Sequence, residues 1–235
     1  KDADVLLLNW INQGALSLDC VEKLCDTGKP IIWNMHDMWE CTGICHHAYE
    51  CSRYKHECGK CQYLSSNNEN DLSHRVWQKK KSIFSAPNLH FVSVSNWLAK
   101  KCKESSLLGD KHITVIPNTT NVEQYSCSRL PNSNYGISAD KKVIAIGAAR
   151  LDDPVKGFPI LLSSLKWLKA HKPETASKIH LILFGGLRDI SLLQEIDIPY
   201  TFLGRIDANR VKDVLAHADI VISSSLYESF GGTLI

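Results

Sequence analysis

The sequence predicts two doubly wound α/β domains in series, each built on a parallel sheet. Short apolar runs of strand length alternate with amphipathic runs of helix length along most of the chain. One polar stretch, residues 119–140, interrupts this alternation; it is rich in Asn and Ser and also contains a proline and a glycine. We therefore expect a first domain over residues 1–118, a linker over residues 119–140 and a second domain over residues 141–235.

The composition is that of a globular protein of 235 residues, of which 44% are hydrophobic and 22% charged. The formal net charge of +2 gives no reason to expect nucleic acid as a partner. No apolar run is long enough for a membrane span, and no cleavable signal pattern opens the sequence. Because Ala3–Leu8 already has the character of an interior strand and the last residues stop where an element should begin, we expect both domains to be incomplete.

The first domain should alternate strands with helices, since apolar β-branched runs favour buried strands and Ser or Asp caps favour helix starts. The predicted strands are Asp4–Leu8, Ile31–Met35, Leu89–Val94 and His112–Ile116. The predicted helices run from Ser17 or Asp19 to about Cys25, from Ser73 to Ser85, and from Asn96 to about Glu104. This order implies a parallel sheet. In the second of these helices, Lys79, Lys80 and Lys81 are expected to form a solvated face.

A cysteine-rich loop, residues 38–63, shows neither helical nor strand periodicity. A loop of this length is uncommon in a compact domain unless something holds it. It contains five of the nine cysteines, spaced C-x3-C-x5-C-x6-C-x2-C: Cys41, Cys45, Cys51, Cys58 and Cys61. Four thiolates, or three with one of the nearby histidines, would complete a tetrahedral structural zinc site. Disulfides or free thiols are the alternatives, although the odd cysteine total argues against a secreted disulfide scaffold.

His36 lies where the second predicted strand ends, next to Asp37. A lone histidine is more often a core or capping residue than a catalyst. At the carboxyl end of a strand, however, it would face a cleft between the two domains if they close on each other, which makes it a candidate for substrate contact.

The second domain continues the alternation. The predicted strands are residues 143–149, Ile179–Phe184, Tyr200–Leu203 and Asp219–Ser223, and the predicted helices are residues 158–170, Asp189–Glu195 and Ala208–His217. All loops that follow strands lie at one edge of a parallel sheet, where ligands of open α/β sheets bind. We expect that edge to collect Arg150, Lys156, Gly185, Gly186, Gly204, Arg205 and the loop over residues 224–232.

Arg150 and Lys156 bracket the loop that joins the first strand of this domain to a helix starting near Pro159. A helix start offers free N–H groups and the positive end of the helix dipole. An arginine fork and a lysine point charge can both bind phosphate oxygens. The loop therefore predicts a phosphate or diphosphate site, with solvated loop charges as the alternative.

Glu228 lies between the end of the last predicted strand and the pair Gly231-Gly232. Its carboxylate can accept hydrogen bonds from sugar hydroxyls, and the glycine amides can face an anion. The alternative is a carboxylate that only caps a helix. Gly185-Gly186 and Gly204-Arg205 also follow strands, but each alone is a weak signal that a plain turn would explain.

These motifs together resemble family-4 retaining glycosyltransferases of the GT-B fold, which have two Rossmann-like domains. In the second domain the resemblance rests on Gly147-Ala-Ala-Arg150, Lys156-Gly157, Phe202-Leu-Gly204 and Ser223-x4-Glu228-Ser-Phe-Gly231. Val92-Ser-Val-Ser95 and Ile116-Pro117-Asn118 resemble the family's last first-domain strand and its linker entry. The run from Trp33 to Trp39 and the cysteine loop resemble a subgroup associated with bacterial surface-polysaccharide assembly.

The resemblance implies transfer of a sugar from a UDP- or GDP-sugar to an acceptor hydroxyl with retention of configuration. Arg150 and Lys156 would hold the donor diphosphate, and Glu228 and His36 would contact the donor sugar. The remaining donor-site residues would be Gly185, Gly204, Arg205, Phe230, Gly231 and Gly232. No catalytic metal is implied, so a zinc ion in the cysteine loop would be structural. A glycan or lipid-linked acceptor, and a cytoplasmic location with peripheral association at the inner face of the membrane, follow from the same resemblance.

The sequence departs from the family pattern at its ends. The second glutamate of the family's paired-glutamate motif, which meets the ribose, would follow Ile235, and the glycine-rich first loop of the first domain is missing. We therefore expect an incomplete catalytic unit that binds its donor weakly or is inactive. Two other functions compete with the transferase: a nucleotide-sugar epimerase or phosphorylase-like enzyme of the same fold, and a zinc-stabilised binding module that recruits a partner through the cysteine loop.

Overall fold

Two parallel four-stranded sheets, one in each half of the chain, form the framework of the protein. The computed structural model describes residues 2–12, 14–125 and 131–232, and the chain divides into two units, residues 1–118 and 119–235. Among these described residues, no helix is both long enough and apolar enough to cross a bilayer.

The first unit contains a sheet in the spatial order β1-β2-β3-β4, with every neighbouring pair parallel. The strands are β1 (Leu6–Asn9), β2 (Ile31–Met35), β3 (Leu89–Ser93) and β4 (Ile113–Val115). The helices are α1 (Leu18–Cys25), α2 (Leu72–Ile83) and α3 (Asn96–Lys103). Each helix begins after a side chain that accepts hydrogen bonds from its first turn, namely Ser17, Asp71 and Ser95.

Trp33 is central to the core of the first unit. Its side chain is fully buried, and its ring meets Phe84 edge-on at 5.6 Å and stacks 6.3 Å from Phe91. Ile31 and Met35 on the same strand are also buried, so one face of β2 is entirely internal. The other face, with Ile32 and Asn34, is only partly buried, so β2 alternates between a fully buried and a partly buried side.

The second unit contains a sheet in the order β7-β6-β5-β8, again with parallel neighbours. The strands are β5 (Lys142–Arg150), β6 (Ile179–Gly186), β7 (Tyr200–Phe202) and β8 (Ile220–Val221). The helices are α4 (Val122–Tyr125), α5 (Phe158–His171), α6 (Pro173–Ser177) and α7 (Ala208–His217). Adjacent residues of β6 point into different hydrophobic clusters, Leu183 with Leu161 of α5 and Ile182 with Val214 of α7. A sheet buried on both faces is doubly wound, which confirms the predicted fold class.

Several predicted boundaries were wrong. The segment predicted as a helix over Asp189–Glu195 is a 3-10 helix over Ile190–Glu195, capped by Asp189. The last predicted strand is limited to Ile220–Val221, because only Ile144 and Ala145 of β5 pair with it. The predicted linker holds α4 and a 3-10 helix over Asn132–Tyr135, while its residues 126–130 lie outside the described part of the chain. Residues 233–235 of the predicted second domain also lie outside it.

The cysteine-rich loop has no α-helix or strand, in agreement with its lack of periodicity. It contains only three short 3-10 helices, over Trp39–Cys41, Arg53–Lys55 and Gln62–Leu64. Its shape therefore depends on side-chain contacts rather than on regular backbone hydrogen bonding.

Candidate functional site

The loops at the carboxyl edge of the second sheet pack closely because glycine leaves room for backbone. Gly185 has a φ of +124°, and a Cβ there would lie 1.8 Å from the Ala148 carbonyl oxygen. Its N–H donates to the Gly204 carbonyl at 2.7 Å. The Leu151 N–H donates to Gly186 at 2.8 Å. These contacts fix the ends of β5, β6 and β7 against one another, so residues after each strand are held at one edge.

Lys156 and Glu228 form a direct ion pair at this edge, with Nζ and Oε1 2.7 Å apart. Two hydrogen bonds join the loops that carry them: the Leu226 N–H donates to the Val155 carbonyl, and the Ser224 hydroxyl donates to the Lys156 carbonyl, each at 2.8 Å. About a third of each charged side chain is exposed, so an incoming anion or hydroxyl can reach the pair. The sequence predicts both residues as binding groups, and the structure brings them together.

Gly157 allows these two loops to meet. Its φ is +62°, and a Cβ at this position would lie 2.1 Å from the Ser224 carbonyl oxygen. A side chain here would therefore strain the backbone and push the loops apart. The Lys156–Glu228 pair thus depends on the glycine that follows the lysine.

Arg150 is held by the acidic loop that follows it. Its Nε lies 3.1 Å from an Asp152 oxygen and its Nη2 lies 3.4 Å from an Asp153 oxygen. The Nε contact is an ion pair that lacks hydrogen-bond geometry, and both Nε and the facing Asp152 oxygen are buried. Although burial acts to raise the pKa of Asp152, backbone N–H groups of residues 188 and 189 and the Arg150 charge lower it overall. Asp152 therefore stays ionised and positions the guanidinium.

A cavity of about 920 Å³ opens beside these loops in the second unit. Of the predicted donor-site residues it is lined by Gly185, Arg205 and Gly232. Its volume is in the range of small-molecule sites. Thr119, Thr120 and Tyr125 line it too, although the sequence predicts them only as linker residues. No motif marks them, and Tyr125 belongs to α4, which packs beside α7.

The other predicted residues lie near this cavity without lining it. Arg150, Lys156 and Glu228 belong to the adjoining loops. Phe230 and Gly231 are half-buried, and Gly231 has a φ of +73°. Gly204, also with positive φ, bonds to Gly185 through its carbonyl rather than facing the cavity. The edge therefore combines a charged cluster with a neighbouring cavity.

In the first unit, His36 lies at the carboxyl end of β2, as predicted, but it does not pair with Asp37. Its Nε2 lies 2.5 Å from the Asn9 side-chain oxygen and 3.2 Å from the Asn34 amide nitrogen. Asp37 instead contacts His46 at 2.8 Å, and this hydrogen bond raises the pKa of His46. The exposed ring of Trp10 stacks on His46 at 5.3 Å.

A buried Lys80 corrects the prediction of a solvated lysine face on α2. Its side chain is fully buried, and Nζ donates to the carbonyls of residues 39, 42 and 43 at 2.5, 3.0 and 2.9 Å. Glu40 is buried nearby. Burial lowers the pKa of Lys80 to about 7 and raises that of Glu40 to about 7. A lysine in an amphipathic helix is normally exposed, because burying its charge is costly. The burial of Lys80 could not be predicted, since it depends on three carbonyl groups from another segment of the chain.

The five loop cysteines do not act as one set. Cys45, Cys51, Cys58 and Cys61 line one small cavity, whereas Cys41 points into the core and donates to the Met38 carbonyl at 3.2 Å. Within the described residues, no group of three or more His, Cys, Asp or Glu side chains is placed to hold a metal ion.

Two parallel-sheet α/β units in series define the GT-B fold class, and solved structures of this class match the chain. Anabaena Alr3699/HepE in complex with UDP and glucose has a TM-score of 0.57 at 16% identity, covering 94% of this chain and 52% of that one. WaaG, described as a glycosyltransferase involved in lipopolysaccharide biosynthesis, has a TM-score of 0.61 at 11% identity, covering 91% and 58%. A UDP-forming trehalose-phosphate synthase from Burkholderia xenovorans has a TM-score of 0.62 at 12% identity, covering 97% and 54%.

The second unit has a more specific similarity. Residues 140–235 match the family model described as Glycosyl transferases group 1. Over 172 residues the chain is 27% identical to the phosphatidylinositol N-acetylglucosaminyltransferase GPI3 subunit of Saccharomyces cerevisiae (strain YJM789). That match covers 68% of this chain and 36% of the relative, so the chain spans about a third of that relative's length.

Proposed function

We propose that this chain is part of a glycosyltransferase that moves a sugar from a nucleotide-sugar to an acceptor hydroxyl. The observation that carries the proposal is the Lys156–Glu228 pair, which lies with Arg150 at one edge of a sheet beside a ligand-sized cavity. All three residues belong to the part of the chain that matches the glycosyl transferases group 1 model. The named ligands of the structural neighbours, UDP and UDP-glucose, support a nucleotide-sugar as donor. We take UDP and GDP as the two candidate nucleotides.

The two cations would act on the donor diphosphate. As the bond from the sugar's anomeric carbon to the diphosphate breaks, negative charge grows on the departing phosphate, and Arg150 and Lys156 would stabilise it. The acceptor oxygen bonds to the same carbon, and its proton passes to the departing diphosphate. We assign retention of configuration to this step, as in family-4 enzymes. Because two cations offset the diphosphate charge, we expect turnover without a divalent ion.

Glu228 would have a dual role. Without donor it neutralises Lys156 at 2.7 Å. With donor, the diphosphate would take over Lys156, which leaves the carboxylate to accept hydrogen bonds from the sugar hydroxyls. We assign the phosphate side of the site to Gly231 and Gly232, the nucleotide side to Gly185, Gly204, Arg205 and Phe230, and a contact with the donor sugar to His36.

The names of two similar proteins bear on the acceptor and on the cellular location. The GPI3 relative is named for a phosphatidylinositol substrate and WaaG for lipopolysaccharide biosynthesis. These names support a lipid-linked or glycan acceptor and a role in bacterial surface-polysaccharide synthesis. We place such an enzyme in the cytoplasm, with peripheral association at the inner face of the membrane.

A ligand screen followed by product analysis tests this function. UDP or GDP at a hundredfold excess over Kd should raise the melting temperature by about 5 °C or more, because binding to the folded state alone adds about 2.7 kcal/mol. In the enzyme of which this chain is proposed to be a part, the matching nucleotide-sugar should then give free nucleoside diphosphate and a glycoside of retained configuration by proton NMR. An epimerase would instead leave the nucleotide attached to an altered sugar. No stabilisation by either nucleotide would contradict the proposal.

A further inference from the structure

Four cysteine thiols of the first unit surround a single cavity. We call Cys45, Cys51, Cys58 and Cys61 the four-cysteine cluster; they line a cavity of about 20 Å³ together with Tyr54 and Tyr63. That space holds about one water molecule or ion.

The fifth cysteine of the loop is excluded from this cluster. Cys41 is fully buried, donates its thiol to the Met38 carbonyl at 3.2 Å and interacts with Cys102. All eight cysteines that the structure describes are free thiols. The loop therefore offers four thiols that line one cavity, which is the number that a closed tetrahedral zinc site requires.

The backbone around the cluster is fixed without help from the sulfurs. The Gly59 N–H donates to the Ser73 hydroxyl at 2.9 Å and the Cys61 N–H donates to Asp71 at 2.8 Å. These bonds hold the tight turn Cys58-Gly-Lys-Cys61, in which both central residues have positive φ. The Gly43 N–H also donates to the Cys58 sulfur at 3.2 Å. An amide that already faces a sulfur is a contact that orients and stabilises a thiolate ligand.

Charge compensation is also present. A zinc ion with four thiolates carries a net charge of −2, which is costly to bury unless it is paired. Lys80 places a buried amine beside the cluster: its Nζ donates to the carbonyl of Gly43 at 2.9 Å, and the N–H of the same glycine faces the Cys58 sulfur.

We propose that the four-cysteine cluster binds one structural Zn²⁺ ion, with Cys45, Cys51, Cys58 and Cys61 as its ligands. The sulfurs are not at ligand geometry in this structure, so they close inward when the ion enters. The thiols lose their four protons as four Zn–S bonds form, and no oxidation takes place. Because the Met38 N–H donates to the His46 carbonyl at 3.0 Å, the ion would also steady the strand-edge segment that carries Asp37 and His46.

The experiment measures zinc in the purified 235-residue chain by plasma mass spectrometry, with Co²⁺ titration as an optical probe. We expect about one zinc per chain, and we expect each Cys→Ser variant of the four-cysteine cluster to lose it. Two control variants should keep the zinc: Cys41→Ser, at a buried cysteine outside the cluster, and Cys20→Ser, at an exposed cysteine. On the metal-free chain, Co²⁺ should give the intense visible absorption and sulfur-to-metal charge transfer of a tetrahedral thiolate site.

The Co²⁺ titration tests the proposal even if single variants fail to fold, because it uses the chain without substitutions. Absence of tight Co²⁺ and Zn²⁺ binding would overturn the proposal. So would pairwise loss of thiol hydrogens in the intact mass, which would show disulfides instead. If zinc persisted in a variant of the four-cysteine cluster, or were lost only in Cys41→Ser, the proposed set of ligands would be wrong.

Discussion

Lys156 and Glu228 lie 72 residues apart in the sequence, yet their charged atoms are 2.7 Å apart. Their residue types and their positions after strands were enough to predict both as binding groups. Their direct contact could not be predicted, because it depends on the hydrogen bonds from Leu226 and Ser224 that join the two loops. At the scale of single residues, the candidate site is therefore a lysine whose charge is compensated by Glu228. In the proposed function, a phosphate group of the ligand would replace Glu228 as its partner.

Asp152 gives a residue-scale prediction about pH. Because its folded-state pKa lies below the usual 3.8, its stabilising effect is present above pH 3.8 and is lost as the pH falls through the folded value. Asp152→Asn should therefore unfold at lower urea concentration than the wild type at about pH 7, and the difference should shrink at about pH 3.

The matched control is Asp197→Asn, since the Asp197 side chain is 57% exposed and lies 4.0 Å from Lys169. It should leave the urea midpoint almost unchanged at both pH values. A pH-independent loss of stability in Asp152→Asn would mean that its ionisation does not contribute.

At the scale of elements, the strand-to-helix connections position the chemistry. The β5–α5 connection holds Arg150 and Lys156, and the connection after β8 holds Glu228. The alternation of apolar runs of strand length with amphipathic runs of helix length predicts these elements. A sheet buried on both faces needs strands that are apolar along their whole length. The short 3-10 helix at Ile190–Glu195 and the two-residue β8 could not be predicted, since their lengths depend on pairing with neighbours.

Gly157 gives an element-scale prediction. Gly157→Ala should destabilise the chain by about 1–3 kcal/mol more than Gly136→Ala, because a Cβ at residue 157 would meet the Ser224 carbonyl. Gly136 is the matched control: its φ of +66° is similar, and nothing lies within 4 Å of an added Cβ. Urea unfolding measures the difference, and equal losses would show that the two loops can separate freely.

The buried lysine of α2 gives a second prediction at this scale. Lys80→Met should cost about 3–5 kcal/mol, because it leaves three carbonyls without a donor and Glu40 without a nearby cation. Lys79→Met, which removes only a partly exposed ion pair with Asp19, should change stability by about 0.5 kcal/mol or less. Similar urea midpoints for the two variants would mean that the hydrogen bonds from Lys80 to the three carbonyls do not stabilise the fold.

At the scale of the whole molecule, the alternation of strand-length and helix-length runs predicts two parallel-sheet units, and the structure confirms them. The cavity of the second unit could not be predicted in full, because one of its lining residues, Tyr125, belongs to α4 and depends on how that helix packs beside α7. The cysteine spacing predicts a cluster, but only the structure separates Cys41 from the other four. Sequence pattern thus predicts local elements well and predicts contacts between distant loops poorly.

The most direct test of the central claim is calorimetric titration of the nucleoside diphosphate that stabilises the chain. Lys156→Ala and Arg150→Ala should each weaken its binding by about 10- to 100-fold, the equivalent of one charge-assisted hydrogen bond to phosphate. Lys166→Ala, which removes an exposed ion pair with Glu195 elsewhere in the second unit, should bind like the wild type. Equal affinity in all four proteins would contradict the account.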